Sequence, residues 1–383
     1  MPLTVDFFAD TDTQEAAYAY RKLGGEIGRG FRAASLLRAL EALAEQAPSP
    51  LLGFVYGAGF EDRPELLRRI ARRWPLLGSD AGAVERLKAP ERFFATLDRL
   101  GVLHPVTLMR RPANGSGWLA KKIGGAGGSH IASARAAKSN SCLYYQELVA
   151  GRAVSALFVG NGKDARVLGF SEQWTAPSRK SPWRYGGAAR PAAVPAKTGR
   201  QMTAAVRAAA RCFKVKGLAS ADFLVEGDKA LLLEINPRPG ATLDLFDCGA
   251  APLLKLHLEA IREGKLPLRA PKFADAMASA IVYAERGEAI PEDMAWPVWA
   301  ADRPKPSEWI DKDRPICTVW ARSGTMARAK RLIKERICRI KAGLRSVSRG
   351  NDGEQKRRHR RRAPIAPAER ERQSGAARQS AHR

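Results

Sequence analysis

A chain of 383 residues, 45% of them apolar, is long enough for two or three lobes with sizeable cores. Its net charge of +26 suits a polyanionic ligand such as a nucleotide. No signal peptide is evident and no apolar stretch approaches the ~20 residues of a membrane helix, so a soluble cytoplasmic protein is expected.

In chain order, residues 1–85 read as α/β. "LTVDFFAD" suits a strand and its loop, "FRAASLLRALEALAEQA" an amphipathic helix ended by Pro48, and "LLGFVYGAG" a buried strand closed by glycines. "RPELLRRIARRW" is a helix with Pro at its start and "PLLGS" a short strand. Strands alternating with helices predict a parallel sheet here. The next helix is "APERFFATLDRLG" (89–101). "WLAKKI" (118–123) is a strand running into "GGAGGSH", and "SCLYYQELV", "VSALFVGN" and "VLGFSEQW" are further strands. A helix over 199–214, capped near Thr198, precedes the strand–turn–strand "ADFLVEGDKALLLEINPR". After Pro267 come tryptophans, prolines and short strands, then the basic helix "ARAKRLIKERICRIKAG".

From Leu344 to Arg383, 12 Lys/Arg stand against 4 Asp/Glu, so +8 lies in this segment and +18 in the rest. With almost nothing to bury, it reads as a disordered basic tail, either a solvated extension or a contact for RNA or anionic lipid. No aromatics interleave its arginines, so base stacking has no support. Cys142, Cys212, Cys248, Cys317 and Cys338 form no CxxC pair and read as buried or idle thiols of a reducing cytosol.

In the hairpin, a three-residue turn "GDK" (227–229) would set Glu226 opposite Ala230 and Asp222 opposite Glu234. Asp222, Glu234 and Asn236 would then share one face; a two-residue turn would shift the pairing by one. Opposed carboxylates need a cation between them, and an all-oxygen set suits Mg²⁺ or Mn²⁺. Arg238 adds a planar cation able to grip phosphate or carboxylate. The plain alternative is an exposed hairpin end with solvated charges. Upstream, "KKIGGAGGSHI" (121–131) places lysines at a strand end before four glycines in five residues, a composition for cradling phosphate under a mobile lid. It lacks the Gly-Lys-Ser/Thr of a P-loop, and a flexible hairpin loop is the alternative. His130 reads as structural or solvated, and Lys88 could reach a phosphate.

Lys88 before a helix, "WLAKKIGGAGGSHI", "YYQELVAGRAVSALFV" and "ADFLVEGDKALLLEINPRPGAT", in that order, resemble the ATP-grasp superfamily over roughly residues 75–250. "DRPICTVWA", within 267–343, resembles the closing region of its ligases. The resemblance implies an α/β fold of the α+β ATP-grasp type. An amino-terminal α/β domain (1–88) would precede a two-lobed ATP-grasp domain (89–266), a closing subdomain (267–343) and the tail (344–383). It implies ATP with Mg²⁺ or Mn²⁺, two ions in all. Lys88 and Lys121 would meet the phosphates, and Gly124, Gly125, Gly127, Gly128 and Ser129 would form the lid. Backbone at Glu147 and Val149 would read the adenine edge. Asp222, Glu234 and Asn236 would be metal ligands, with Glu234 bridging the ions. Arg238 and Lys121 would be catalytic, with Arg238 steadying the transferring phosphate or an acyl phosphate.

Two departures stand out. Many members hold the ribose with an acid two residues past the hinge glycine, whereas Gly151 is followed by Arg152 and Ala153. The opening "LTVDFFADTDTQEA" resembles the second strand of the usual amino-terminal domain, with no counterpart of the first strand and helix. A late start codon would produce this, at a cost in stability. The resemblance implies a carboxylate–amine ligase acting through an acyl phosphate on small-molecule substrates. The whole chain loosely resembles relatives of tyramine–glutamate ligase from methylotrophs, which points to one-carbon cofactor (methanofuran- or methanopterin-type) biosynthesis. The alternatives are an amino-acid or purine-type ligase, or a non-catalytic ATP-binding module tethered by the tail.

Overall fold

The computed structural model describes residues 1–25, 29–138, 140–247 and 252–348; Cys248 and most of the basic tail lie outside the described residues. The amino-terminal domain runs β1 (Leu3–Asp6), α1 (Thr11–Ala16), β2 (Ala19–Lys22), α2 (Ala33–Ala44), α3 (Pro64–Ala71) and α4 (Ala81–Lys88). β1 and β2 pair in parallel, as the alternating pattern predicts. The strand expected over "LLGFVYGAG" shrinks to a single bridge, Phe54 to Leu76. Gly53 explains part of this. It holds φ +146°, and a Cβ there would lie 2.4 Å from the Pro75 carbonyl oxygen, so only glycine fits this close approach outside a regular strand. The domain closes over Phe7, Phe31, Phe60, Leu36, Leu67 and Ile70, with Phe7 stacked on Phe31 at 4.6 Å. α2 stops at Ala44, well before Pro48. α4, which the sequence reading missed, ends at Lys88.

α5 (Pro90–Arg99) leads to β3 (Thr107–Leu108), β4 (Trp118–Lys122), β5 (Ile131–Ser133) and β6 (Leu143–Glu147). These form a small antiparallel sheet of order β3-β6-β4-β5. Next come β7 (Arg152–Asn161), β8 (Ala165–Thr175), β9 (Tyr185–Arg190), α6 (Ala196–Phe213), β10 (Lys216–Glu226), β11 (Lys229–Asn236), α7 (Leu243–Phe246) and α8 (Leu253–Arg262). The chain continues through β12 (Ala276–Tyr283), β13 (Glu288–Ala289), β14 (Ala300–Ala301), β15 (Trp309–Ile310), β16 (Pro315–Ser323) and α9 (Met326–Ser348). α6 opens after Pro195, three residues earlier than expected, and Thr198 lies inside it as a buried residue and caps nothing.

The large sheet is antiparallel, of order β11-β10-β7-β8-β9-β12-β16-β14. β12 pairs directly with β9, so the region beyond residue 267 adds strands to this sheet. α9 likewise runs past the expected boundary at 343. One face of β7, β10 and β11 packs on α5 and α6 through Phe93, Phe158, Val206, Phe213 and Phe223. Each side chain of this size contributes about 1.5–3 kcal/mol on burial. The other face meets α7 and α8 through Leu157, Leu218, Leu245 and Phe246. α9 lays Ala329, Ile333, Ile340 and Leu344 on β12 and β16. Among the described residues no helix is long and apolar enough to cross a membrane.

Candidate active site

The β10–β11 hairpin does not turn as expected. Glu226 pairs with Lys229, so the turn is the two-residue Gly227-Asp228, and the pairing starts one position off. A bulge then removes the error. Phe223 pairs with Leu232 and Asp222 with Glu234, leaving Leu233 as the extra residue. The bulge also reverses the alternation of β11. Ala230 and Leu232 belong to the buried core, yet Glu234 and Asn236 face the opposite side, beside Asp222. Asn236 Nδ2 donates to Asp222 Oδ2 at 3.2 Å, and Gln173 Nε2 donates to Asp222 Oδ1 at 3.3 Å.

Two lysines complete this polar face. α4 is capped by Asp80, whose side chain accepts from Ala83 N. It ends at Lys88 because Pro90 holds Ala89 extended and opens α5. Lys88 Nζ thereby reaches Glu234 Oε2 at 3.2 Å and Asn236 Oδ1 at 2.8 Å, with only 8% of its side chain exposed. Its ammonium stands where a cation bridging these oxygens would stand. Lys121 points from β4 into the same region. It is buried and donates to Gln146 Oε1 at 2.6 Å, and Gln146 donates onward to Thr107. Burial pulls the Lys121 ammonium below the usual lysine range, against the upward pull of Glu234 and Asp222.

Burial first, and the Glu234 charge second, push the Asp222 carboxyl above its ordinary range. Burial would raise Glu234 as well, but the charges of Lys88, His130 and Lys121 outweigh it and hold Glu234 below its ordinary range. Two carboxylates directly opposite cannot both ionise cheaply, and a divalent cation relieves what a proton otherwise must. The donor set fits Mg²⁺ or Mn²⁺: two carboxylates, an amide oxygen and a surrogate ammonium already among them. Among the described residues no three His, Cys, Asp or Glu side chains gather as a metal site. Two carboxylates and Asn236 would therefore need further oxygens from phosphate or water, as Mg²⁺ usually does.

The glycine segment lies over this face. Gly127 O accepts from Tyr185 N at 3.0 Å, which ties the loop to β9. Gly128 (φ +73°) approaches so closely that a Cβ would lie 1.9 Å from the Trp183 carbonyl oxygen. Gly124 (φ +70°) packs on Asp62, leaving 2.9 Å from a Cβ to the Asp62 Cα. Gly125 lies against the His130 ring, whose Nδ1 is 3.2 Å from Ala126 O. Ser129 is exposed. Lys88, Gly124, Gly125, His130 and Glu234 line a narrow, partly open cleft beneath the loop.

The sequence reading missed the contribution of the amino-terminal domain. Glu61 Oε1 accepts from Arg238 Nε at 2.6 Å, and Glu61 Oε2 accepts from Gly59 N and Phe60 N at 2.8 and 3.1 Å. Burial raises the Glu61 pKa, but Arg238 first and Lys88 second outweigh it and hold the carboxyl below its ordinary range. Arg238 also donates to Pro239 O at 3.0 Å, and the Tyr56 hydroxyl lies 3.2 Å from Pro237 O. Asp62, the next residue, faces Lys122 Nζ at 3.6 Å. Adjacent acids thus hold Arg238 and the lid strand. A single sequence offers no signal for this beyond a Glu-Asp pair after "YGAGF". At the hinge, Glu147 N donates to Val106 O at 2.9 Å, so its carbonyl is the group left to offer a ligand; Val149 is half-buried beside it.

No curated protein matches the chain in sequence. Residues 92–242 match the family model of the ATP-grasp domain. Among solved structures, biotin carboxylase from Campylobacter jejuni is similar at TM-score 0.68 and 15% identity, over 87% of this chain and 84% of that one. The biotin carboxylase domain of 2-oxoglutarate carboxylase from Hydrogenobacter thermophilus, solved with MgADP and bicarbonate, gives 0.63 at 13% over 83% and 80%. N5-carboxyaminoimidazole ribonucleotide synthetase from Thermotoga maritima gives 0.62 at 13% over 88% and 91%. The chain has the ATP-grasp fold, and the match to the ATP-grasp domain model falls on residues 92–242.

Proposed function

We propose that this protein is an ATP-dependent carboxylate–amine ligase that binds Mg-ATP between the small sheet and the large one. The convergence of Asp222, Glu234 and Asn236 with Lys88 and Lys121 beneath a glycine loop carries the reading. When bound, Mg-ATP would supply a phosphoryl group to a carboxylate, and an amine would displace phosphate from the resulting acyl phosphate. The chain's own residues position and neutralise. Lys88 and Lys121 bring positive charge to the phosphates, and Asp222, Glu234 and Asn236 hold the cation. Arg238, fixed by Glu61, keeps a guanidinium edge for the reacting oxygens. The closed loop excludes water, which would otherwise hydrolyse an acyl phosphate. No side-chain nucleophile is required. The similarity to a ribonucleotide synthetase and to carboxylases suits small carboxylate or bicarbonate substrates. A place in one-carbon cofactor synthesis rests on the sequence resemblance alone.

The test is release of ADP and phosphate from Mg-ATP with pooled carboxylates and amines, glutamate and tyramine included. Product requiring both an acid and an amine, and falling at least 100-fold in Glu234→Gln, is the expected result. ATP binding in a thermal-shift assay without turnover in any pool would favour a non-catalytic module. Absence of ATP binding would overturn the reading.

A further inference from the structure

The basic C-terminal helix takes no part in the site. α9 carries 8 Lys/Arg and a single Glu. Its apolar side is spent on β12 and β16. Arg328, Arg331, Lys334, Arg339 and Arg345 are exposed. At 3.6 residues per turn they fall within an arc of about 140° and extend over about 25 Å, roughly seven phosphates of one duplex strand. Few acids oppose them. Glu335 lies 4.0 Å from Arg331, and Glu285 pairs with Lys341 and Arg345 at 2.8 and 2.7 Å. Arg328, Lys334 and Arg339 have no carboxylate partner among the described residues. Other cations of the helix are held inward, Lys330 by Glu172 at 2.6 Å and Arg336 over the Trp299 ring at 5.0 Å. Residues 349–383 lie outside the described residues; their sequence holds 11 Lys/Arg against 4 Asp/Glu.

We infer that the outer face of α9 is a binding surface for the phosphate backbone of nucleic acid. Three observations favour nucleic acid over an anionic membrane. No large apolar side chain is exposed among the described residues of α9, so the helix has nothing to insert into lipid. From residue 326 onward 15 of the 19 basic residues are arginine, the side chain whose planar fork matches phosphate. The exposed cations of α9 also follow a line along the helix. Among the exposed arginines of the described part of α9, Arg339 alone lies near an aromatic ring, 5.8 Å over Trp299, and no aromatic row accompanies the stripe, so contact is with phosphates and does not read bases.

The experiment is fluorescence anisotropy of the full chain with a labelled 20-nucleotide RNA and a 20-base-pair DNA between 50 and 300 mM KCl. Vesicles with and without 30% phosphatidylserine form a parallel arm. Salt-dependent binding to nucleic acid is expected. Arg328→Glu with Arg331→Glu and Lys334→Glu should weaken it at least tenfold and flatten the slope of log K against log salt by about 2 on single strands. If that variant melts early, Arg328→Ala with Arg331→Ala and Lys334→Ala should show a smaller loss in the same direction. Binding unchanged in both variants, no binding at 50 mM salt, or tighter binding to the anionic vesicles would each overturn the inference. ATP turnover is a separate readout, so failure here leaves the ligase reading untouched.

Discussion

Replacing Glu61 by alanine tests the link between the amino-terminal domain and the site most directly. The Arg238 and Glu61 side chains are only 10% and 3% exposed, so the pair is poorly screened. Removing the acid strands a buried guanidinium and takes the acceptor from Gly59 N and Phe60 N. Breaking a buried pair this way costs about 3–5 kcal/mol. At about 2–4 °C per kcal/mol, melting should fall by roughly 6–20 °C. The paired change Glu61→Met with Arg238→Met should cost much less, because it leaves no charge behind. Urea titrations followed by circular dichroism at pH 7 give the three values. A single-variant loss under 1 kcal/mol, or a double as costly as the single, would refute the reasoning. The pH dependence has a definite sign. Glu61 is held below its ordinary value, so its contribution is complete above the unfolded carboxyl pKa of about 4.3. It disappears as pH falls through the lower folded value, and Glu61→Ala should lack that slope.

Gly128→Ala should keep the lid from seating, since the Trp183 carbonyl it meets at 1.9 Å is backbone and cannot rotate aside. Tryptic cleavage beside Lys122 should accelerate several-fold, whereas Gly101→Ala, at φ +64° in open space, should leave that rate unchanged; equal rates in the two variants would refute the closure geometry. Asp164→Ala makes the opposite case. Its hydrogen bond to Arg207 first, against a small opposing effect of burial, lowers its carboxyl to about 2, yet the pair is largely solvent-exposed. Screening limits its worth to under about 1 kcal/mol at neutral pH, lost as pH falls toward 2. A urea titration showing more than 2 kcal/mol would contradict that discount.

Elements with strong local signals were legible in the sequence. The "KKIGGAGG" strand-to-loop transition, the apolar strands of the large sheet and the basic C-terminal helix appear where their periodicity places them. α4 was missed because "AGAVERLK" is short and runs into Pro90, so its pattern merges with that of α5. Lys88 therefore reads only as a lysine before the next helix, although the end of α4 is what aims it at Glu234. Glu61, Gln146 and Gln173 were illegible for another reason. Each acts through a partner 25 or more residues away, and a polar residue's partner is set by tertiary packing that one sequence does not contain.

Asp222 and Glu234 stand opposite each other by an unexpected route. In a regular ladder only a three-residue turn brings the two together. The chain instead makes the tighter Gly227-Asp228 turn and inserts Leu233 as a bulge. Both routes add one residue to the same strand between the turn and the site, so they give the same pairing beyond it. They differ in what faces the core. With a regular strand, Leu232 would share the face of Glu234 and Asn236, and an apolar side chain would stand among the polar groups of the cleft. With the bulge, Leu232 is fully buried against α5 and α6 while the acid and the amide turn toward the lysines. The run "LLLEIN" requires such a switch. Its apolar residues are continuous, so alternation cannot reveal which of them changes face, and only the bulge lets one strand serve both a dry core and a charged cleft.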